Sequence, residues 1–164
     1  MRTRSVPWRR ALQARGDETS LIKYIARKEW WHVPPRDPEA YQKRGKFYSS
    51  TFREAEFYGR PGDPERVTVQ NPLVGDEATV EQTLFRRRYS ESFNDMGGAR
   101  LIKARLGLDA KIKAAALKKG FDAVVLMAPS GFAEYLRSGK IPRSLELNIL
   151  TPERCESERG DQAE

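Results

Sequence analysis

Residues 144–150, Ser-Leu-Glu-Leu-Asn-Ile-Leu, decide how this chain is read. Apolar and polar residues alternate strictly through the stretch, the period of a β-strand with one face on a core. Leu145, Leu147 and Ile149 are expected to point into that core, and Glu146 and Asn148 to the opposite, polar face. Glu146 is then a carboxylate on a backbone fixed by packing, a good mount for a catalytic acid. The other reading is a solvated strand face, because exposed glutamates are common.

Upstream, "GFDAVVLM" (120–127) sets a glycine stop before an apolar run and predicts a second strand, joined to the first by a loop. Before it, "LDAKIKAAALKKG" (108–120) predicts a helix capped by Asp109, with Ile112, Ala115 and Ala116 as its apolar stripe and Gly120 as its end. "YSESFNDMGGARLIKARLG" (89–107), broken at Gly97-Gly98, reads as a loop. "DEATVEQTLFRRR" (76–88) reads as a helix and "ERVTVQNPL" (65–73) as a strand with Val67 and Val69 on one face.

Nearer the N-terminus, a helix is expected from Thr19 or Ser20 to about Lys28, followed by a strand in "EWWHVPP" (29–35) with His32 close to its end. "RDPEAYQKRG" (36–45) is a polar connection with one helical turn, and "KFYSST" (46–51) another strand. Thr51 and Glu54 form a Ser/Thr-x-x-Glu capping box, so a helix starts at Phe52. It runs to about Tyr58, where Gly59, Pro61 and Gly62 break it. Tyr48, Ser49 and Ser50 therefore sit at a strand-to-helix junction, where hydroxyls and helix-start amides can meet an anion. A capping hydroxyl beside a packed tyrosine is the competing reading.

The 164 residues suffice for one domain with a real core. Net charge is +7, unevenly spread: residues 1–28 hold eight Lys/Arg against two Asp/Glu, and residues 151–164 two against five. The organisation expected is a basic arm over 1–18, a domain over 19–155 and an acidic tail over 156–164. A lone cysteine, Cys155, makes no internal disulfide, and with one histidine no metal site is expected. No run approaches a membrane span or a secretory leader, so a cytoplasmic protein without membrane contact is expected. Neither common nucleotide-binding glycine loop is present, and no serine sits in a nucleophile-elbow context. The cluster Arg86–Arg88, with the cations of 103–119, reads as a phosphate-holding surface or as a solvated helix face.

"GFDAVVLM" followed by "ELNILTPERC" resembles the closing part of mono-ADP-ribosyltransferase-like domains, especially the small ones of phage and bacterial polyproteins and toxins. "WWHVPP", "GKFYSSTFREAEFYG" and "VTVQNPL" resemble, in order, that family's first strand, its aromatic-hydroxyl motif with the following helix, and its Asn-Pro-Leu turn. The resemblance covers roughly residues 29–155 and is to the histidine-tyrosine-glutamate branch. Ser144 stands where the arginine-modifying branch has its first glutamate. It implies an α+β fold, a split antiparallel β-sandwich with flanking helices around an NAD cleft. It also implies Glu146 as the catalytic residue, and His32, Tyr48 or Tyr58, Ser49 and Ser50 as NAD contacts, with Tyr48 favoured. The implied activity is cleavage of NAD, as substrate, at the nicotinamide-ribose bond with transfer of ADP-ribose to a protein or nucleic-acid acceptor. An NAD glycohydrolase on the same scaffold, or a basic nucleic-acid-binding module without catalysis, are the alternatives. The basic arm is expected to draw polyanions.

Overall fold

The computed structural model describes residues 16–152. The arginines of residues 1–15, Trp8, Cys155 and the acidic tail lie outside the described residues. In chain order the elements are α1 (Asp17–Arg27), α2 (Ala40–Arg44), β1 (Lys46–Ser49), α3 (Phe52–Glu56), β2 (Pro72–Gly75), α4 (Glu77–Phe85), a 3-10 turn (Tyr89–Asp95), α5 (Gly98–Lys118), β3 (Ala123–Leu126), α6 (Pro129–Ser138) and β4 (Glu146–Ile149). The strands form one mixed sheet in the order β1-β4-β3-β2, antiparallel except for the parallel β2–β3 pair.

The alternation read in 144–150 holds, and it sorts the core into two layers. Leu145, Leu147 and Ile149 join Tyr48, Val74, Ala123 and Val125 in a cluster closed by Leu21 and Ile25 of α1 and by Phe132 and Tyr135 of α6. On the other face Leu73, Val124 and Leu150 pack with Val80 and Leu84 of α4 and Ala116 of α5. Helices thus cover both faces, and the side expected to be polar is largely buried. Asn148 is enclosed and donates through Nδ2 to Arg44 O at 3.0 Å. It also crowds Gly45, whose φ of 88° and lack of a Cβ let the chain pass: a Cβ there would collide with Asn148 Oδ1 and Ile149 O.

Several elements differ from the sequence expectation for identifiable reasons. "EWWHVPP" makes no strand; Trp30 and Trp31 form only isolated antiparallel bridges, to Glu65 and Ser49. "ERVTVQ" is also not a strand, although Val67 and Val69 are buried as the alternation requires. The ladder begins instead at Pro72, so the described residues form one four-stranded sheet in place of two small antiparallel ones.

The stretch 89–107 is not a loop. Buried Glu81 accepts from Ser90 N–H at 2.9 Å and from the Ser90 hydroxyl, which pins the 3-10 turn onto α4. Past Gly98 the chain enters a 21-residue helix, in which Asp109 lies mid-helix rather than at a cap. That helix ends as expected. Gly120, at φ 88°, lets Phe121 N–H bond back to Ala116 O at 3.0 Å while Gly120 N–H bonds to Leu117 O. The connection from β3 to β4, expected as a loop, contains α6, with Pro129 in its first turn and Gly139 in the left-handed region just past its end. At the start, α1 begins at Asp17, two residues ahead of the expected domain start, and Ser20 Oγ donates to Gly16 O at 3.2 Å.

An acid clamp fixes the parallel pair. Asp122 accepts from Gln70 N–H (2.7 Å) and Asn71 N–H (2.9 Å), while Asn71 Nδ2 donates to Gly120 O at 2.8 Å. The Asn-Pro-Leu turn and the Gly-Phe-Asp turn, far apart in sequence, are two halves of this contact.

Candidate functional site

Strand register decides which side chains can meet. Ser49 pairs with Glu146, Glu146 with Leu126, and Leu126 with Gly75, so these four residues form one row across the sheet at its end. A cleft of about 970 Å³ opens at that row, lined by Ser49, Leu126 and Glu146. Its walls are Arg53, Glu54, Phe57 and Tyr58 from α3 and the turn after it, Asp76–Ala78 at the start of α4, Arg88, and Met127–Pro129 at the start of α6. The helix after β1 starts on half of the expected capping box: Thr51 Oγ1 accepts from Glu54 N–H at 3.2 Å, while the Glu54 carboxylate takes the Ser50 hydroxyl instead of Thr51 N–H. Its end brings Phe57 and Tyr58 to the cleft mouth, 87% and 66% exposed.

Glu146 has no hydrogen-bond or ion-pair partner among the described residues, whereas the other acids of the cleft are engaged. Glu54 accepts from the Ser50 hydroxyl (3.2 Å), Asp76 caps α4 by accepting from Thr79 N–H (2.8 Å), and Glu77 lies 3.6 Å from Arg105. Burial is the first cause that pushes Glu146 up to about 7, and the negative charges of Asp109, Glu77 and Glu54 add to it. Asp109, on α5, is itself pushed up to about 6 by burial, with Arg44 and Arg105 pulling back. The Tyr58 phenol is raised first by the Glu146 carboxylate and then by burial. An unpaired carboxylate that titrates near neutrality in an open cleft can take or give a proton, or face a developing positive charge.

Of the residues singled out from sequence, the structure brings Glu146, Ser49 and Tyr58 together at this cleft. Tyr48 projects from the opposite face of β1, buried in the core with its hydroxyl donating to Glu65 Oε1 at 3.4 Å. His32 packs on the Tyr48 ring, with centroids 5.5 Å apart, and is 8% exposed. Phe47 O can only accept, so His32 Nδ1 carries the proton it donates there at 2.7 Å, and Nε2 accepts from the Tyr41 hydroxyl at 2.7 Å. Burial pushes the His32 imidazolium down, which agrees with this neutral tautomer. Ser50, 2% exposed, accepts from Leu145 N–H at 3.1 Å and braces Glu54 from behind.

Arg53, Glu54, Phe57 and Asp76 of the cleft were not singled out from sequence as site residues, and Arg88 entered only as part of the basic cluster Arg86–Arg88. The capping box was the one signal that placed Glu54 near the junction. Among the described residues no group of three or more His, Cys, Asp or Glu is arranged to hold a metal ion, and no helix is long and apolar enough to cross a membrane. Compared with known proteins, the chain matches no family model, no curated protein and no solved structure.

Proposed function

We propose that the chain is a mono-ADP-ribosyltransferase that cleaves NAD at the nicotinamide-ribose bond at Glu146 and passes ADP-ribose to a macromolecular acceptor. The observation that carries this reading is the unpaired Glu146 carboxylate, held at a strand end in the cleft and titrating near 7. Breaking that bond develops positive charge on the ribose, as in glycoside hydrolysis, and a fixed carboxylate stabilises it.

The surroundings suit the two ends of NAD. The nicotinamide ring of the substrate is cationic, and Glu146 stands among Glu54, Asp76 and Glu77 beside the exposed face of Tyr58. A bound cation also favours the ionised form of Glu146. The diphosphate is anionic, and Arg53, Arg88 and the first turn of α6, whose Ala128 provides no side-chain cap, line the same cleft. The volume of about 970 Å³ is at the upper end of small-molecule sites, roughly 300–1,000 Å³. In this reading Tyr58 stacks on nicotinamide and Ser49 bonds a ribose hydroxyl. His32, Tyr48 and Ser50 hold β1 and α3 in place from behind.

A glycohydrolase is the second reading, favoured by the openness of the site to water and by a carboxylate able to deprotonate it. Incubating the full chain with NAD and measuring nicotinamide and protein- or nucleic-acid-bound ADP-ribose tests both. Nicotinamide release with transfer supports the transferase, and release with free ADP-ribose alone supports the glycohydrolase. No release beyond that of Glu146→Gln removes both.

A further inference from the structure

We propose that the outer face of α5, continued by Arg86 and Arg87, is a docking surface for the phosphate backbone of a nucleic acid. Between residues 86 and 119 the chain carries ten Lys/Arg against three Asp/Glu. On α5 the exposed residues Arg100, Lys103, Gly107, Lys111, Ala114 and Lys118 recur every three or four positions. They form one stripe of about 27 Å, at 1.5 Å per residue, away from the face that buries Leu108 and Ala116.

Three observations separate this stripe from an ordinary solvated face. First, its cations are uncompensated: Arg86, Arg87, Arg100, Lys103, Lys111 and Lys118 have no acidic partner among the described residues, whereas Lys43, Lys46, Arg105 and Arg137 are each in an ion pair. Second, Arg87 and Lys111 converge on one ring, Tyr89, at 4.3 and 4.5 Å from its centroid, which joins the Arg86–Arg88 segment to the helix. Third, Gly107 and Ala114 alternate with the cations, so a backbone can approach the helix closely between them.

The stripe fits a nucleic acid better than an acidic protein. A stable protein interface needs an apolar centre, and the exposed large apolar residues of α5, Ile102, Leu106 and Leu117, lie off the stripe on another side of the helix. No unoccupied aromatic face is present on the stripe either, because the Tyr89 ring already carries two cations. Contacts to phosphate without base stacking or base reading follow, so binding is insensitive to sequence and steeply dependent on salt. Arg88 continues the surface to the cleft, where it is one of the lining residues. The docking surface stands whether or not NAD is the substrate.

The test is fluorescence anisotropy of a labelled mixed-sequence DNA duplex with the full chain, without NAD, across a salt series. The quadruple variant Arg100→Gln, Lys103→Gln, Lys111→Gln, Lys118→Gln is compared with Arg100→Gln, Lys103→Gln alone and with a full-length chain in which the five arginines of residues 1–15 are Gln. The quadruple variant is expected to bind roughly tenfold or more weakly at 0.1 M salt, its log–log salt slope reduced by about 3 to 4 and the double variant's by about half as much. The arm variant is expected to leave that stripe-dependent decrement in place. Melting followed by circular dichroism verifies that each variant is folded. An unchanged slope in the folded quadruple variant overturns the proposal, as does tighter binding of the unaltered chain to polyglutamate than to the duplex at matched charge.

Discussion

Ser49 and Glu146 are partners across the β1–β4 ladder and project from the same face of the sheet, whereas Tyr48, one residue earlier, pairs with Leu147 and projects from the other. A single step along a strand therefore separates a residue of the cleft from a residue of the core. That parity makes Tyr58, not Tyr48, the aromatic neighbour of the carboxylate.

Glu146→Gln keeps the side-chain shape and removes the charge. Nicotinamide release is expected to fall by about 10²–10⁴-fold while NAD binding, supported by the arginines and Tyr58, persists. Steady-state turnover with calorimetric binding checks both halves, and unchanged turnover would remove Glu146 from the chemistry.

Activity should follow the ionised carboxylate. With Glu146 titrating at about 7, kcat/KM is expected to rise about tenfold per pH unit below that value and to level off above it. Asp109→Asn removes the like charge that helps hold Glu146 up, so the limb should move to lower pH. A pH–rate profile whose midpoint is the same in that variant argues against the coupling.

The same carboxylate costs stability when it ionises. Its folded value, about 7, lies above the ordinary 4.5, so between those values the folded chain holds a proton that the unfolded chain has lost, and stability falls as pH rises through the window. Glu146→Gln should therefore be more stable than the unaltered chain at pH 8, by on the order of 2 kcal/mol, and nearly equal to it at pH 4. Denaturant midpoints at the two pH values decide the sign.

Tyr58→Ala and Tyr48→Ala should behave oppositely. Tyr58 is 66% exposed, so its loss is expected to change stability by no more than about 0.5 kcal/mol while weakening NAD turnover. Tyr48 is buried between His32 and the core, and its truncation should cost about 3 kcal/mol or more. Melting curves beside turnover separate a site residue from a supporting one.

What the sequence made legible was local. The alternation of 144–150, the Thr51 cap and the Gly120 stop each depend on neighbours within a turn or two, and each is present in the fold. The placement of Tyr48 depended on Leu147, about a hundred residues away in sequence, and that of His32 on Tyr41 of α2 and, beyond that helix, on Phe47 and Tyr48; no local pattern carries that register. The start of α5 was obscured by three glycines, Gly97, Gly98 and Gly107, which lower helix propensity without preventing a helix that packs on α4 and holds α2 through Lys113 and Tyr41 O. For α6 the signals were present: proline in the first turn, glycine after the last, and Phe132 and Tyr135 three apart.

The Asp122 clamp carries a consequence for the order in which the chain folds. It joins Gln70 and Asn71 to a residue about fifty positions later, and closing a loop of that length costs about 3 to 4 kcal/mol in chain entropy before any contact across it forms. Helices α4 and α5, which lie inside the loop, shorten the distance to be searched once they are formed. The parallel pair is therefore expected to lock late. Asp122→Ala should speed unfolding and leave the folding rate nearly unchanged, a pattern that stopped-flow chevrons read directly. Equal slowing of folding would mean that the two turns meet early and template the helices between them.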